Sequence, residues 1–121
     1  PREHWRLREV ALASYFVFPN AELFYMQNHL SIFTVFPTGI GEMVVSTTLH
    51  TSEAPRTDAM AKSNRVNWKL LNDVLHEDFG ICETQQAGFA RGGLEAMAFG
   101  RYEQGSAAFH AAIDQALAGR P

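Results

Sequence analysis

Residues 75–86 read LHEDFGICETQQ, and they sit inside the longest helical stretch of the chain. At about 100° per residue, Leu71, Leu75, Asp78, Cys82, Gln85 and Phe89 share one side of that helix. The side is otherwise mostly apolar, so a carboxylate stands in a stripe expected to be buried. Burying an isolated carboxylate is costly; such a group is neutralised, paired or bound to a cation. The stretch thus poses the fold and the function together, as a long amphipathic helix with an acid on its packing side.

Working outward, the apolar period is helical from about Asp58 to Phe89, through Trp68, Leu71, Val74, Leu75, Phe79, Cys82 and Phe89. Ser52, Pro55 and Thr57 supply helix-entry chemistry ahead of it, and the glycines of ARGG, residues 90–93, end it. Gly80 falls on the opposite, wet side, a point where the helix is free to bend. A last helix is expected over about 103–117, with Ala107, Phe109, Ala111, Ile113 and Leu117 for packing.

Upstream of residue 52 the pattern is extended. ALASYFVF (11–18) stops at Pro19-Asn20, ELFYMQ (22–27) follows, and HLSIFTVF (29–36) places Leu30, Ile32 and Phe36 on one face. PTGIGE (37–42) reverses the chain, and MVVSTTLHT (43–51) returns as a fourth strand rich in Val and Thr, which branching at Cβ favours in strands. Strands followed by helices imply an α+β fold, an antiparallel sheet of about four strands with a long helix across one face. We read residues 1–121 as a single domain, without internal repeats or low-complexity linkers.

Composition narrows the function. Of 121 residues 46% are hydrophobic, and the net charge is -3. The nearest approach to a basic patch, Arg2, Arg6 and Arg8, is interrupted by Glu3 and Glu9, so nucleic acid is not an expected partner. No apolar run reaches membrane-spanning length and no signal-peptide pattern opens the chain, so neither membrane insertion nor export is expected. Cys82 is the one cysteine, which excludes an internal disulfide and suits a reducing, cytoplasmic setting. The chain opens on Pro1 without a preceding Met, as a trimmed product or a piece of something longer would.

Three readings of Asp78 are open on spacing alone. It pairs with Arg91 or Arg101 or is solvated at the stripe's edge, it acts as a general acid or base, or it binds a metal with partners elsewhere. The five histidines, His4, His29, His50, His76 and His110, include no two within five residues of each other, so no local histidine pair offers a metal site. His76 and Asp78 are two apart on a helix and point to nearly opposite sides.

The words themselves carry more. HEDFGICETQQAGF (76–89) resembles the acidic-helix signature of Rieske non-haem iron ring-hydroxylating oxygenases, large (alpha) subunit, with Glu77-Asp78, Cys82-Glu83, Gln86, Gly88 and Phe89 in register. FGRYEQGSAAFH (99–110) is similar to that family's C-terminal stretch, and FVFPNAELF (16–24) to its strand ending in Phe-Pro-Asn. The resemblance implies a partial helix-grip (START-like) fold, the C-terminal portion of the catalytic domain. It implies that Asp78 is the carboxylate ligand of a mononuclear Fe(II) otherwise held by two histidines. It also implies a Rieske [2Fe–2S] cluster in a domain outside this stretch, since that cluster needs two cysteines and two histidines. NAD(P)H would supply electrons indirectly, through a reductase or ferredoxin, and O₂ would hydroxylate an aromatic or other small organic substrate. On this reading the fragment alone carries one of three protein iron ligands and is inactive.

The remaining residues have plainer expectations. Cys82 is a small buried packing residue. Gln85 and Gln86 hydrogen-bond around the iron site that the resemblance implies or, the favoured structural role, to a neighbouring strand. Glu77 meets solvent or an arginine. Glu103 caps the last helix, Arg101 flanks it, and His110 packs or hydrogen-bonds on it. Phe24, Tyr25, Phe33 and Phe36 are core residues that could also line a substrate pocket. Uncovered sheet edges and apolar faces favour a homo-oligomer. The alternative to an oxygenase is a metal-free helix-grip module that binds an apolar small molecule, for which the same order of strands and helix serves.

Overall fold

The computed structural model describes residues 2–4, 6, 9, 11–93 and 96–119; Arg8 of the basic cluster lies outside them. Four strands, β1 (Ala13–Val17), β2 (Ala21–Tyr25), β3 (Leu30–Gly39) and β4 (Glu42–His50), precede two helices, α1 (Asp58–Ala90) and α2 (Gln104–Leu117). The sheet is an antiparallel meander in the order β1-β2-β3-β4. This is the α+β arrangement expected from strands followed by helices, consistent with a helix-grip-like fold.

Turn chemistry sets the register. Between β1 and β2 the chain turns at Phe18-Pro19-Asn20, where the Phe18–Pro19 peptide is cis. Asn20 is then tied to β3: its carbonyl accepts from Val35 N at 2.9 Å, and its Nδ2 donates to the Val35 carbonyl at 3.0 Å. The reversal between β3 and β4 is tighter than PTGIGE suggests. β3 continues through Pro37 to Gly39, an irregularity falls between Pro37 and Gly39, and Gly39 already faces Glu42. Gly41, at φ +78°, completes the turn in a region that side chains with a Cβ rarely enter.

α1 begins where the entry signals place it. Thr57 is the N-cap, and its Oγ1 accepts from Met60 N at 3.2 Å. The helix runs back along β4. Asn64, Arg65 and Trp68 meet Thr48–Thr51 at one end, while Gln86 stands against Gly41 at the other. At about 1.5 Å per residue its 33 residues extend about 50 Å. The nine residues of β4 reach only about 30 Å.

Strand pairing shows which sheet face α1 covers. Val45 and Met43 line a cleft with Phe79, Cys82 and Gln86 of α1. Their partners across β3 are Val35 and Pro37, so Phe33 and Ser31 lie on the same face. Phe33 (7% exposed) and Ser31 (1%) are the residues most removed from solvent among those described. The alternation of Leu30, Ile32 and Phe36 is real but marks the other face. There Phe36, Val44, Tyr15 and Val17 are each about half exposed. The helix therefore lies on the face of Ser31 and Phe33 rather than on that of Leu30, Ile32 and Phe36.

α2 packs through Phe109, whose ring lies 4.4 Å from that of Phe16 and 6.5 Å from that of Phe18. Its half-buried residues are Phe109, Ala112 and Ile113, a three-four spacing. Ala107, Ala111 and Leu117, expected to pack, are exposed, Leu117 at 82%.

Gly41→Ala is expected to cost about 1–2 kcal/mol in urea unfolding, because an L side chain is strained at that φ. The added Cβ would also meet Gln86 Nε2 at 2.8 Å, but that atom ends a flexible side chain. Adding Gln86→Ala should therefore restore little of the loss. A second expectation concerns His29, at the β2–β3 turn, with Nδ1 2.7 Å from Asn28 Oδ1. Burial lowers its pKa from the ordinary value of 6.5. The unfolded chain then takes up the proton first, so stability is complete above about pH 6.5 and is lost as pH falls through the folded value. Urea midpoints between pH 7.5 and 5 should fall less for His29→Gln than for the parent chain.

Candidate functional site

The site is built on the middle of α1, at Asp78. Half-buried positions on this helix include Asn64, Asn67, Leu71, Leu75 and Phe79, which follow the sheet at three- and four-residue intervals. Asp78 lies about 60° around the helix from Leu75 and is exposed. The expected position in a buried stripe is thus corrected to the stripe's margin. Val74, about 100° from Leu75, is likewise 46% exposed. Periodicity groups residues into a side, but packing covers only its centre.

The flank that Asp78 occupies is defined by Asn67, which lies within about 20° of it three turns earlier. Asn67 lines a cleft with Ala11, Leu12, Met26, Gln27 and His29, toward β1 and β2. The opposite flank carries Arg65, beside the end of β4, and Glu83, beside Glu42 and Met43. Asp78 therefore overhangs the β2 side of the sheet rather than its β4 edge.

No ion pair engages Asp78 among the described residues; the pairs formed are Arg6–Glu9, Arg56–Glu53 and Lys69–Asp73. Neither Arg91 nor Arg101 neutralises it, and Arg101 instead lies 5.7 Å from the Tyr102 ring centre. The described residues include no group of three or more His, Cys, Asp or Glu able to hold a metal. Asp78 is thus an accessible, uncommitted oxygen donor.

Its neighbours depart from expectation in instructive ways. Cys82 is exposed rather than buried, lining the 820 Å³ cleft between α1 and the β3–β4 hairpin with Phe79, Glu83 and Gln86. At the hairpin tip Gln86 comes against Gly41, in the β3–β4 turn rather than a strand, and no hydrogen bond of its side chain is formed among the described residues. Glu77 meets solvent. Gly80 faces open space, and Thr84 Oγ1 donates to its carbonyl at 2.9 Å.

Glu103 occupies the N-cap position of α2 but makes no side-chain bond to that helix. Its Oε2 accepts instead from Gly100 N, closing the turn before the helix. The His110 ring packs 5.3 Å from Phe99, as expected of a packing histidine. Phe24 and Phe33 meet edge to face at 5.3 Å on the covered sheet face. Phe36 and Tyr25 belong to the other face, away from Asp78. Sequence reading passed over Glu22, which pairs with Phe16 on one side and Phe33 on the other, on the face α1 covers. Its position two residues before Phe24, in a period-two strand, was the available signal.

No curated protein and no solved structure matches the chain. A family model described as the ring hydroxylating alpha subunit (catalytic domain) matches residues 1–119. That span takes in the whole meander, the acidic helix with Asp78 and the last helix, and on it the chain belongs to the ring-hydroxylating alpha-subunit catalytic-domain family.

Proposed function

We propose that the chain is the C-terminal part of an oxygenase catalytic domain and supplies Asp78 as a ligand to a mononuclear Fe(II). The observation that carries this reading is an exposed, unpaired carboxylate at the family's acidic signature, over the β2 side of the sheet. A hard anionic oxygen suits ferrous iron and offsets part of its charge. Bound iron would supply O₂ activation for hydroxylating an aromatic or other small organic substrate. The chain's own residues hold the carboxylate on a rigid helix and present Phe16, Phe24 and Phe33 from the sheet below. Such rings exclude water from the substrate.

With one carboxylate and no neighbouring histidine pair among the described residues, the chain alone binds iron weakly and does not turn over. Two histidines, a Rieske [2Fe–2S] cluster, and a reductase or ferredoxin drawing on NAD(P)H complete the system in the parent enzyme. The exposed thiol of Cys82 suits a reducing cytoplasm, and no described helix is long and apolar enough to cross a membrane.

The surface is large for the mass. A folded monomer of 13.5 kDa exposes about 6500 Å², whereas this chain exposes 10018 Å². Much of the excess is apolar, on the open sheet face and on α1, and it supports homo-oligomer formation. Light scattering across a concentration series should show mass rising above the monomer.

A metal-free module is favoured by one observation, the 820 Å³ cleft lined by Met43, Val45, Phe79 and Cys82, which would take an apolar molecule with no need of Asp78. Substitution separates the two. In the intact oxygenase, Asp78→Ala should lose mononuclear iron and retain the Rieske cluster, as read by metal analysis and electron paramagnetic resonance. Stability should be unchanged or a few tenths of a kcal/mol higher, since the site is exposed and alanine is the better helix former. Unaltered mononuclear iron would reject the assignment.

A further inference from the structure

Hydrogen bonding within the sheet shows which backbone groups of β4 are free. Val35 N donates to the Asn20 carbonyl, and the Val35 carbonyl accepts from Asn20 Nδ2, so the odd residues of β3 turn their backbone groups toward β2. The even residues of β3 therefore bond β4, and their partners by register are Val44, Ser46, Thr48 and His50. Met43, Val45, Thr47 and Leu49 are left with N–H and C=O pointing out of the sheet. No Pro, Lys or Arg lies in Glu42–His50 to block a strand there. The other edge, β1, is five residues long, against nine for β4.

β4 is complementary to itself in the antiparallel sense. A two-fold axis at Ser46 sets Met43 opposite the partner's Leu49 and Val45 opposite the partner's Thr47, which satisfies the outward backbone groups. The even residues then form the closer, non-hydrogen-bonded pairs on the open face. Ser46 meets the partner's Ser46, Val44 the partner's Thr48, and Glu42 the partner's His50. His50 Nε2 lies 3.0 Å from Thr48 Oγ1, which leaves Nδ1 for that carboxylate. Moving the axis by one residue sets Glu42 opposite the partner's Thr48 or the partner's Ser52 and loses the match. Parallel pairing in register would set Glu42 beside the partner's Glu42.

The helix layer carries the same polarity. α1 runs antiparallel to β4, with Arg65 beside the His50 end and Glu83 beside Glu42. Among the described residues, Arg65, Glu83 and Glu42 form no ion pair. Val74 lies midway between Arg65 and Glu83, about 14 Å from each. It is also about 18 Å along the helix from Gln86, which stands against Gly41. Ser46 is about 17 Å along the strand from the same Gly41, so the axis passes level with Val74. Arg65 then comes opposite the partner's Glu83. The two helices, each seated over β3 and β4, run about 10 Å apart, an ordinary packing distance. Acid at one end and base at the other in both layers favour antiparallel self-pairing. The chain's 10018 Å² exceeds the surface of a monomer of its mass by about 3500 Å², several times the roughly 800 Å² that each partner of a stable pair covers.

We propose that two copies of this chain join along β4, antiparallel, about a two-fold axis at Ser46. This names the surface behind the homo-oligomer reading, and its test needs neither iron nor Asp78.

In a Cys82→Ser background, Ser46→Cys should form a disulfide-linked dimer under mild oxidation, because Cα atoms so paired stand about 4.5 Å apart. Val44→Cys, on the same face, lies about 14 Å from its copy and should not cross-link. Thr47→Pro removes an outward N–H and no bond to β3, so light scattering should fall to the 13.5 kDa of one chain with circular dichroism unchanged. His50→Glu should weaken the dimer about tenfold, and adding Glu42→His should restore it. Equal cross-linking of the two cysteine variants, a monomer at every concentration, or a dimer indifferent to both Thr47→Pro and His50→Glu would each overturn the proposal. The last result would keep the homo-oligomer reading and move it to another surface.

Discussion

The seating of α1 across β3 and β4 is the contact on which the rest of the structure depends. It is a thin contact. Among the described residues, Ser31 (1% exposed) and Phe33 (7%) are the ones buried beneath it, and no residue of α1 itself is buried. What fixes the helix is therefore less the area it buries than the pinning of its ends. Thr57 satisfies the first turn, and Gly41 permits the hairpin tip to come against Gln86. Between those points the helix lies across the sheet with its centre packed and both margins in solvent.

That geometry explains why Asp78 is exposed and still placed with some precision. A carboxylate in the middle of the stripe would be dehydrated and would have to be neutralised or paired. At about 60° from the centre it keeps its water, while its backbone belongs to a capped helix whose two ends are registered to the sheet. In the proposed role such a ligand would impose little strain on the fold before a metal arrives, and the remaining donors would set the affinity.

Much of the fold was legible in the sequence, for reasons that can be named. α1 spans Asp58–Ala90 against an expected 58–89, because Thr57 and the glycines at 92 and 93 are strong end signals and the period between them is long. The strands fell within a few residues of expectation, and the alternation of Leu30, Ile32 and Phe36 marked one face of β3 without showing which face the helix takes. Alternation reveals that a strand has two faces; which one is covered is decided by the partner element. The site shows the same limit at the helical period. Cys82 lies within about 20° of the stripe's centre and is nonetheless exposed, because it lines an open cleft between the helix and the β3–β4 hairpin.

The surfaces left open follow from the same construction. α1 is about 50 Å long against a sheet about 30 Å deep, so it overhangs whatever it packs on. Among the described residues the sheet ends in two free edges, β1 and β4, and β4 carries no charged residue between Glu42 and His50 to discourage a further strand. Val44 and Phe36, adjacent on the uncovered face, add a dry patch beside that edge. Backbone groups and apolar side chains are thus offered together along one border of the molecule. A surface that satisfies both must bring a strand and a hydrophobic face at once, as a second copy of this chain or another part of the same catalytic unit would.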